Sequence, residues 1–115
     1  MKWEEGRQKT GYKKLKLLES KLFKFDCYLL FFPKESFLVT HVDQVKGYQH
    51  HRLNIILWRP KEGGVFYCHH HPNQNNLRTA RIIKFRPDEQ GHGLKPITKG
   101  FRLVLSIGWL RKGVK

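Results

Sequence analysis

Short apolar runs, rich in β-branched, aromatic and leucine residues, alternate along this chain with polar stretches that carry turn signals. Tyr12–Leu18 and Leu22–Phe32 read as strands, the second ended by Pro33, which has no N–H to continue a ladder. Phe37–His41 is a third. After a polar loop, Arg52–Trp58 first alternates and then runs apolar, and Pro60 with Gly63-Gly64 makes the next turn. Val65–Cys68, Thr79–Phe85, His92–Lys95 and Phe101–Trp109 complete the series. About eight short strands with turns every 8–12 residues predict an all-β sandwich or barrel. Helical periodicity is weak; its strongest instance is Tyr12–Lys24, which can also be written as a basic helix with Leu15, Leu17, Leu18 and Leu22 on one side. Residues 1–11 are polar and are expected to be a flexible N-terminus, followed by a single domain over 12–115.

Composition narrows the class. Hydrophobic residues make up 39% of the 115, with eight Phe, three Trp and four Tyr, enough for a packed core and too many for wholesale disorder. No apolar run approaches the roughly 18 residues that cross a bilayer, so no membrane association is expected. The start MKWEEGRQKTGYKK lacks the apolar middle of a signal peptide, and two cysteines, Cys27 and Cys68, do not make a disulfide framework. A reducing, cytoplasmic setting is the expectation. Lys and Arg outnumber Asp and Glu by 23 to 9, a net charge of +14. Such a field attracts polyanions and makes nucleic acid an expected partner, but charge alone does not choose between DNA, RNA, an acidic protein and a solvated surface with no partner. The charge is spread along the chain with no binding motif to organise it, and the cluster Lys13, Lys14, Lys16, Lys21 and Lys24 is the best candidate for phosphate contacts.

Chemistry concentrates at His41-Val42-Asp43. In an extended chain residues two apart project to one side, so His41 and Asp43 can face one centre with an imidazole nitrogen and a carboxylate oxygen. Downstream, Arg102 opens the strongest apolar strand, with Arg102, Val104 and Ser106 on one face and Leu103, Leu105 and Ile107 on the other. An arginine turned inward there needs an anion, and its fork suits a carboxylate.

These residues resemble the 2-oxoglutarate/Fe(II)-dependent dioxygenase superfamily, in particular its prolyl 4-hydroxylase-like branch. The family pattern is H-x-D, a distal histidine some fifty residues on and an arginine about ten residues later; His41, Asp43, His92 and Arg102 fill those places in order. The flanks Tyr28–Pro33, Gly63–Phe66 and Ile83–Asp88 agree, and the stretch His92–Arg102, with Pro96 and Gly100 inside it, is the most specific piece. The likeness spans about residues 26 to 110.

The resemblance implies a double-stranded β-helix (jelly-roll, cupin-like) barrel with little or no N-terminal helical support. His41, Asp43 and His92 would hold Fe(II) on one face, leaving room for 2-oxoglutarate and dioxygen. Arg102 would hold the far carboxylate of 2-oxoglutarate, with Tyr28 and Ser106 as further contacts and Asn54 lining the pocket. Succinate and carbon dioxide would leave, and ascorbate would support turnover. The implied activity is hydroxylation or oxidative demethylation of a macromolecule: nucleic acid by charge, a prolyl or other protein side chain next. A non-catalytic basic binding module on the same barrel is the alternative.

Two positions depart from the family pattern: Glu35 stands where Gly is usual and Val65 where Glu is common. The missing helices would leave one sheet open, to be covered by a partner or a second copy of the chain. Cys68-His69-His70-His71 has no second ligand pair at zinc-finger spacing, and the adjacent His50 and His51 point oppositely in a strand, a poor chelate. Substrate specificity is expected in the loops Gln44–His51 and His69–Leu77.

Overall fold

The computed structural model describes residues 2–6, 8–72, 76–77 and 79–112. They form eleven strands: β1 Trp3–Glu5, β2 Lys13–Ser20, β3 Phe25–Phe32, β4 Leu38–His41, β5 Tyr48–Trp58, β6 Glu62–Gly63, β7 Phe66–Cys68, β8 Ile82–Phe85, β9 His92–Leu94, β10 Ile97–Lys99 and β11 Arg102–Lys112. No helix among the described residues is long and apolar enough to cross a membrane.

A six-stranded sheet, ordered β1-β2-β3-β11-β5-β8, faces a smaller layer made of β4-β9-β7 and the pair β10-β6. β11 is the keystone of the large sheet, hydrogen-bonded to β3 on one side and to β5 on the other, both antiparallel. It has no proline to interrupt either ladder, and its alternation sends Arg102, Val104, Ser106 and Gly108 inward, where all four are buried. Val104 joins Phe32, Ile56, Ile83 and Phe85 from the large sheet and Phe66, Leu94 and Ile97 from the small layer in one core. The outward row is apolar as well. Register places Trp3, Leu15, Leu29, Leu105, Ile55 and Ile82 side by side across all six strands.

One reading of the N-terminal third is corrected. Tyr12–Lys24 is not a helix: Lys13–Ser20 pairs with β3, and Lys21–Lys24 is the turn of that hairpin. The leucines that looked like a helical stripe are separated by this arrangement, for Leu15 lies opposite Leu29 while Leu22 sits at the tip, 82% exposed. The stretch expected to be flexible carries β1, with Trp3 opposite Leu15. Gln8 clasps Val39 through both backbone groups (2.7 and 3.0 Å), and the hydroxyl of Thr10 donates to Phe37 O. Polar composition concealed these ties because they run through backbone and amide groups rather than apolar contact. β6 and β10 were also hidden, by the flanking Gly64 and Pro96.

Glu35, at the Gly-like position, sits in the turn after β3 with φ of +75°, the left-handed region that glycine tolerates best. The turn keeps its shape regardless: Glu35 N–H donates to Ile97 O (2.8 Å), and Ile97 N–H donates to Ser36 O (3.1 Å), stitching the two layers together.

Gly93, at the centre of β9, is required by space rather than by dihedral freedom. A Cβ there would run into the Tyr67 hydroxyl on β7 and lie 2.8 Å from Leu38 O on β4. Gly93→Ala is therefore expected to push both neighbouring strands away, lowering stability by about 1–3 kcal/mol in chemical denaturation. An unchanged unfolding midpoint would show that the small layer is looser than this packing implies.

Candidate metal centre and its cavity

Three strands of the small layer set one row of side chains: His41 closing β4 lies opposite His92 opening β9, which lies opposite Cys68 closing β7. The β4–β9 ladder carries a bulge that makes this row. Leu38 pairs with Leu94, but the next partner of His92 is His41, three residues on rather than two. Without the extra residue Thr40 would oppose His92 and His41 would face away. Beyond β4 the chain turns so that Asp43 N–H donates to Pro87 O (2.6 Å), bringing the carboxylate beside both imidazoles.

The His41 and His92 rings lie 4.3 Å apart between centroids. Each turns Nδ1 to a backbone carbonyl, His92 to Gln90 O at 2.9 Å and His41 to Val39 O at 2.7 Å. A carbonyl only accepts, so the His92 contact places its proton on Nδ1 and leaves Nε2 as the donor atom aimed inward, whereas His41 Nδ1 lies between Val39 O, an acceptor, and the Gln8 amide nitrogen, a donor, at 2.9 Å. The two Nε2 atoms stand 3.6 and 3.7 Å from Asp43 Oδ2, too far for hydrogen bonds. All three ligand atoms lie within 4.8 Å of one another. Burial pushes the Asp43 carboxyl up, but the two imidazoles outweigh it and hold the group far below the usual carboxylate range. An ionised carboxylate and two imidazoles on one side of a centre are the donor set that suits Fe(II) with open positions, so the residues fit that metal. His92 is buried against the edges of Phe66 and Phe85 (6.2 and 5.0 Å between ring centroids).

The cluster opens on a cavity of about 330 Å³ between the two layers. All the residues singled out from sequence line it: His41, Asp43, His92, Arg102, Tyr28, Ser106 and Asn54. Their placement follows from register, since the inner face of β3-β11-β5 is built in tiers. Phe32 and Arg102 form one tier, Leu30, Val104 and Ile56 the next, then Tyr28, Ser106 and Asn54, and last Asp26, Gly108 and Arg52.

Arg102 is buried to 6% exposure, and its recorded hydrogen bond is a long one, to Gly64 O at 3.4 Å. No carboxylate among the described residues pairs with it; burial and the nearby Arg59 charge lower its pKa to about 10, still a cation at neutral pH. A guanidinium so placed is costly until an anion meets it. Ser106 and Asn54 are engaged with each other, Ser106 Oγ donating to Asn54 Oδ1 at 2.6 Å. Burial pushes the Tyr28 hydroxyl up.

Sequence reasoning missed the last tier. Arg52 donates to Ser106 Oγ (2.7 Å) and pairs with Asp26 Oδ1 (2.6 Å). Its Nε also lies 3.4 Å from His50 Nε2, and His50 Nδ1 lies 3.2 Å from Asp43 O. A chain of polar contacts thus runs from Asp26 to the loop that carries Asp43. The signal was Gly108, an interior strand glycine between two charged cross-strand partners. The reading of His50 and His51 holds in one respect: they do face opposite ways, His51 stacking on Trp109 outside.

The run Cys68–His71 gathers no second metal cluster among the described residues. Burial pushes the Cys68 thiol up to about 11, and the buried His71 places Nε2 2.9 Å from Lys84 O.

No family model matches the chain, and no curated protein matches it. Solved structures do. A Pseudomonas putida prolyl-4-hydroxylase aligns with TM-score 0.70 at 17% identity, covering 97% of this chain and 78% of that one. The fold is a cupin-like β sandwich. The viral collagen prolyl hydroxylase of Paramecium bursaria Chlorella virus-1, solved as a 2OG complex, aligns with TM-score 0.57 at 14% identity, covering 91% of this chain and 81% of that one. The Schizosaccharomyces pombe Cnp3 cupin domain gives 0.57 at 11% identity, covering 96% of this chain and 69% of that one. Prolyl hydroxylases and other cupins thus share the architecture at identities that speak for fold alone.

A Cβ on Gly108 would overlap the Arg52 guanidinium. Gly108→Ala is expected to displace Arg52 from Asp26 and Ser106, costing about 1–2 kcal/mol for these part-exposed partners. It should also weaken metal binding several-fold through the His50–Asp43 link, read by calorimetric titration. Metal affinity equal to that of the parent would show the Asp43 loop to be independent of this tier.

Proposed function

We propose that this chain is an Fe(II)- and 2-oxoglutarate-dependent dioxygenase that hydroxylates or oxidatively demethylates a macromolecule, with nucleic acid as its first substrate class. One observation carries the reading: a His-Asp-His donor cluster and a buried arginine with no carboxylate partner among the described residues open on the same cavity. Either feature alone has structural explanations. Together they match a metal and a dicarboxylate bound side by side, and structural likeness to two prolyl hydroxylases, one solved with 2OG, supports the pairing.

In this reading His41, Asp43 and His92 hold the metal, and Fe(II) when bound supplies the activation of dioxygen that the protein groups lack. Arg102 binds the far carboxylate of 2-oxoglutarate in a bidentate pair and so fixes the other end of the molecule toward the metal ligands. Phe66, Phe85, Leu94 and Val104 keep that part of the cavity dry, which strengthens the ion pair. Tyr28 lies between, with Lys14 Nζ 5.5 Å over its ring. Lys14 brings a further cation to the cavity wall beside Arg102 and Arg52, and with the +14 net charge it favours a polyanionic substrate.

Succinate release is measured under Fe(II), 2-oxoglutarate and ascorbate, with single-stranded DNA, RNA or a prolyl peptide added in separate arms. Stimulation by a nucleic acid supports the full proposal. Stimulation by the peptide alone moves the substrate to protein, and no succinate in any arm leaves a basic binding module. His92→Ala is expected to abolish Fe(II) binding and turnover together; retained iron affinity would overturn the ligand assignment. For Arg102→Ala we expect iron to remain while 2-oxoglutarate binds about 30- to 100-fold more weakly, the loss of a charge-assisted bidentate contact. Binding to nucleic acid should be strongest at low salt and fall steeply as salt rises; negligible binding even at low salt would remove nucleic acid as the substrate.

A further inference from the structure

The face of the six-stranded sheet that points away from the cavity does not have the composition of a surface meant for water. An antiparallel sheet with one solvated face normally alternates apolar inward with polar outward. Here the outward row Trp3–Leu15–Leu29–Leu105–Ile55–Ile82 crosses all six strands without a polar residue. The rows beside it, Phe31–Leu103 and Cys27–Ile107–Leu53, are equally apolar. At the edges Trp3 is 49%, Trp58 57% and Ile82 64% exposed. Among the described residues, charge reaches this face at its margins, where Glu5 lies opposite Lys13, Lys84 Nζ lies 5.9 Å from the Trp109 ring, and the exposed Arg111 follows Trp109 on the outward side of β11.

The six strands, three, eight, eight, eleven, eleven and four residues long in sheet order and about 4.8 Å apart, give the sheet a footprint of roughly 700 Å². That exceeds the roughly 300–600 Å² of the largest apolar patch on a typical monomer and approaches the ~800 Å² per partner of a stable interface. We infer that this face is the interface of a homodimer, in which two copies of the chain pack their large sheets face to face. A broad, gently twisted, apolar sheet is complemented in shape by another such sheet, packed about 10 Å away with strands roughly 30° off parallel. The charge pattern agrees, since the +14 of each protomer is kept off the centre of the face and its rim carries both signs. Each cavity lies on the opposite side of its sheet and stays open to substrate.

The test is sedimentation velocity on the full, nuclease-treated chain from about 1 to about 100 μM. We expect a species of twice 13.7 kDa. Two cationic protomers joined through an apolar face should associate at least several-fold more tightly between about 0.05 and 0.5 M salt, because salt screens their repulsion. An assembly bridged by residual nucleic acid would dissociate instead. Leu105→Asp, at the centre of the face, is expected to give a monomer, and Ile82→Glu, at an exposed edge, to weaken association about tenfold or more with the circular dichroism spectrum unchanged. Lys61→Glu, on the exposed β5–β6 connection, should leave the dimer intact. If Leu105→Asp fails to fold, Ile82→Glu decides. A chain that stays monomeric at about 100 μM, whether its face is bare or meets another partner, overturns the proposal, as does a dimer that Ile82→Glu leaves unchanged.

Discussion

Everything in this molecule is referred to β11. It is bonded along both sides, so its register fixes β3 and β5 at once, and its two-residue period fixes which side chains reach the interior. A slip of one residue would send Arg102, Ser106 and Gly108 outward and Leu103, Leu105 and Ile107 into the cavity. The slip is resisted by polar contacts rather than by apolar ones, because both faces of the strand are apolar and burial alone would discriminate poorly between the two registers. The Ser106–Asn54 bond and the Arg52–Asp26 bridge across Gly108 exist in one register only. The polar tiers therefore specify the sheet while furnishing the cavity.

That double role explains what was legible in the sequence. The period of β11 could be read directly, and with it the common face of Arg102, Val104 and Ser106, but with both faces apolar it left open which one turns inward. The resemblance to the dioxygenases then drew His41, Asp43 and His92 to one place, and the geometry gathers these residues around one cavity. The outer face was legible only in part, because the row of apolar residues across six strands appears only once the register is known.

The rest was illegible for specific reasons. The β4 bulge that turns His41 toward His92 is a backbone irregularity with no composition of its own. The ties of Gln8 and Thr10 are single hydrogen bonds over about thirty residues, beyond any local pattern. Leu15, Leu17, Leu18 and Leu22 fit a helix as well as a strand, and only pairing with β3 decides, since long-range ladder bonds override local propensity. The role of Arg52 was illegible because its partner Asp26 comes from another strand, through the space that Gly108 leaves.

The two arginines that line the cavity on the large sheet differ in burial and in pairing. Arg52 meets Asp26 at 2.6 Å and Ser106 at 2.7 Å, so its charge is compensated inside the protein and the group acts as a brace. Arg102 is more deeply buried and has no carboxylate among the described residues, and the Arg59 charge further disfavours its ionised form. A fold that already builds one compensated arginine into this sheet shows that compensation was available. Leaving Arg102 without it keeps a desolvated cation on the wall of the cavity that holds the His-Asp-His cluster, and the stability this forgoes is recovered when an anion binds. The contrast between two side chains on neighbouring strands, independent of any relative, supports the proposal that Arg102 is the anion site.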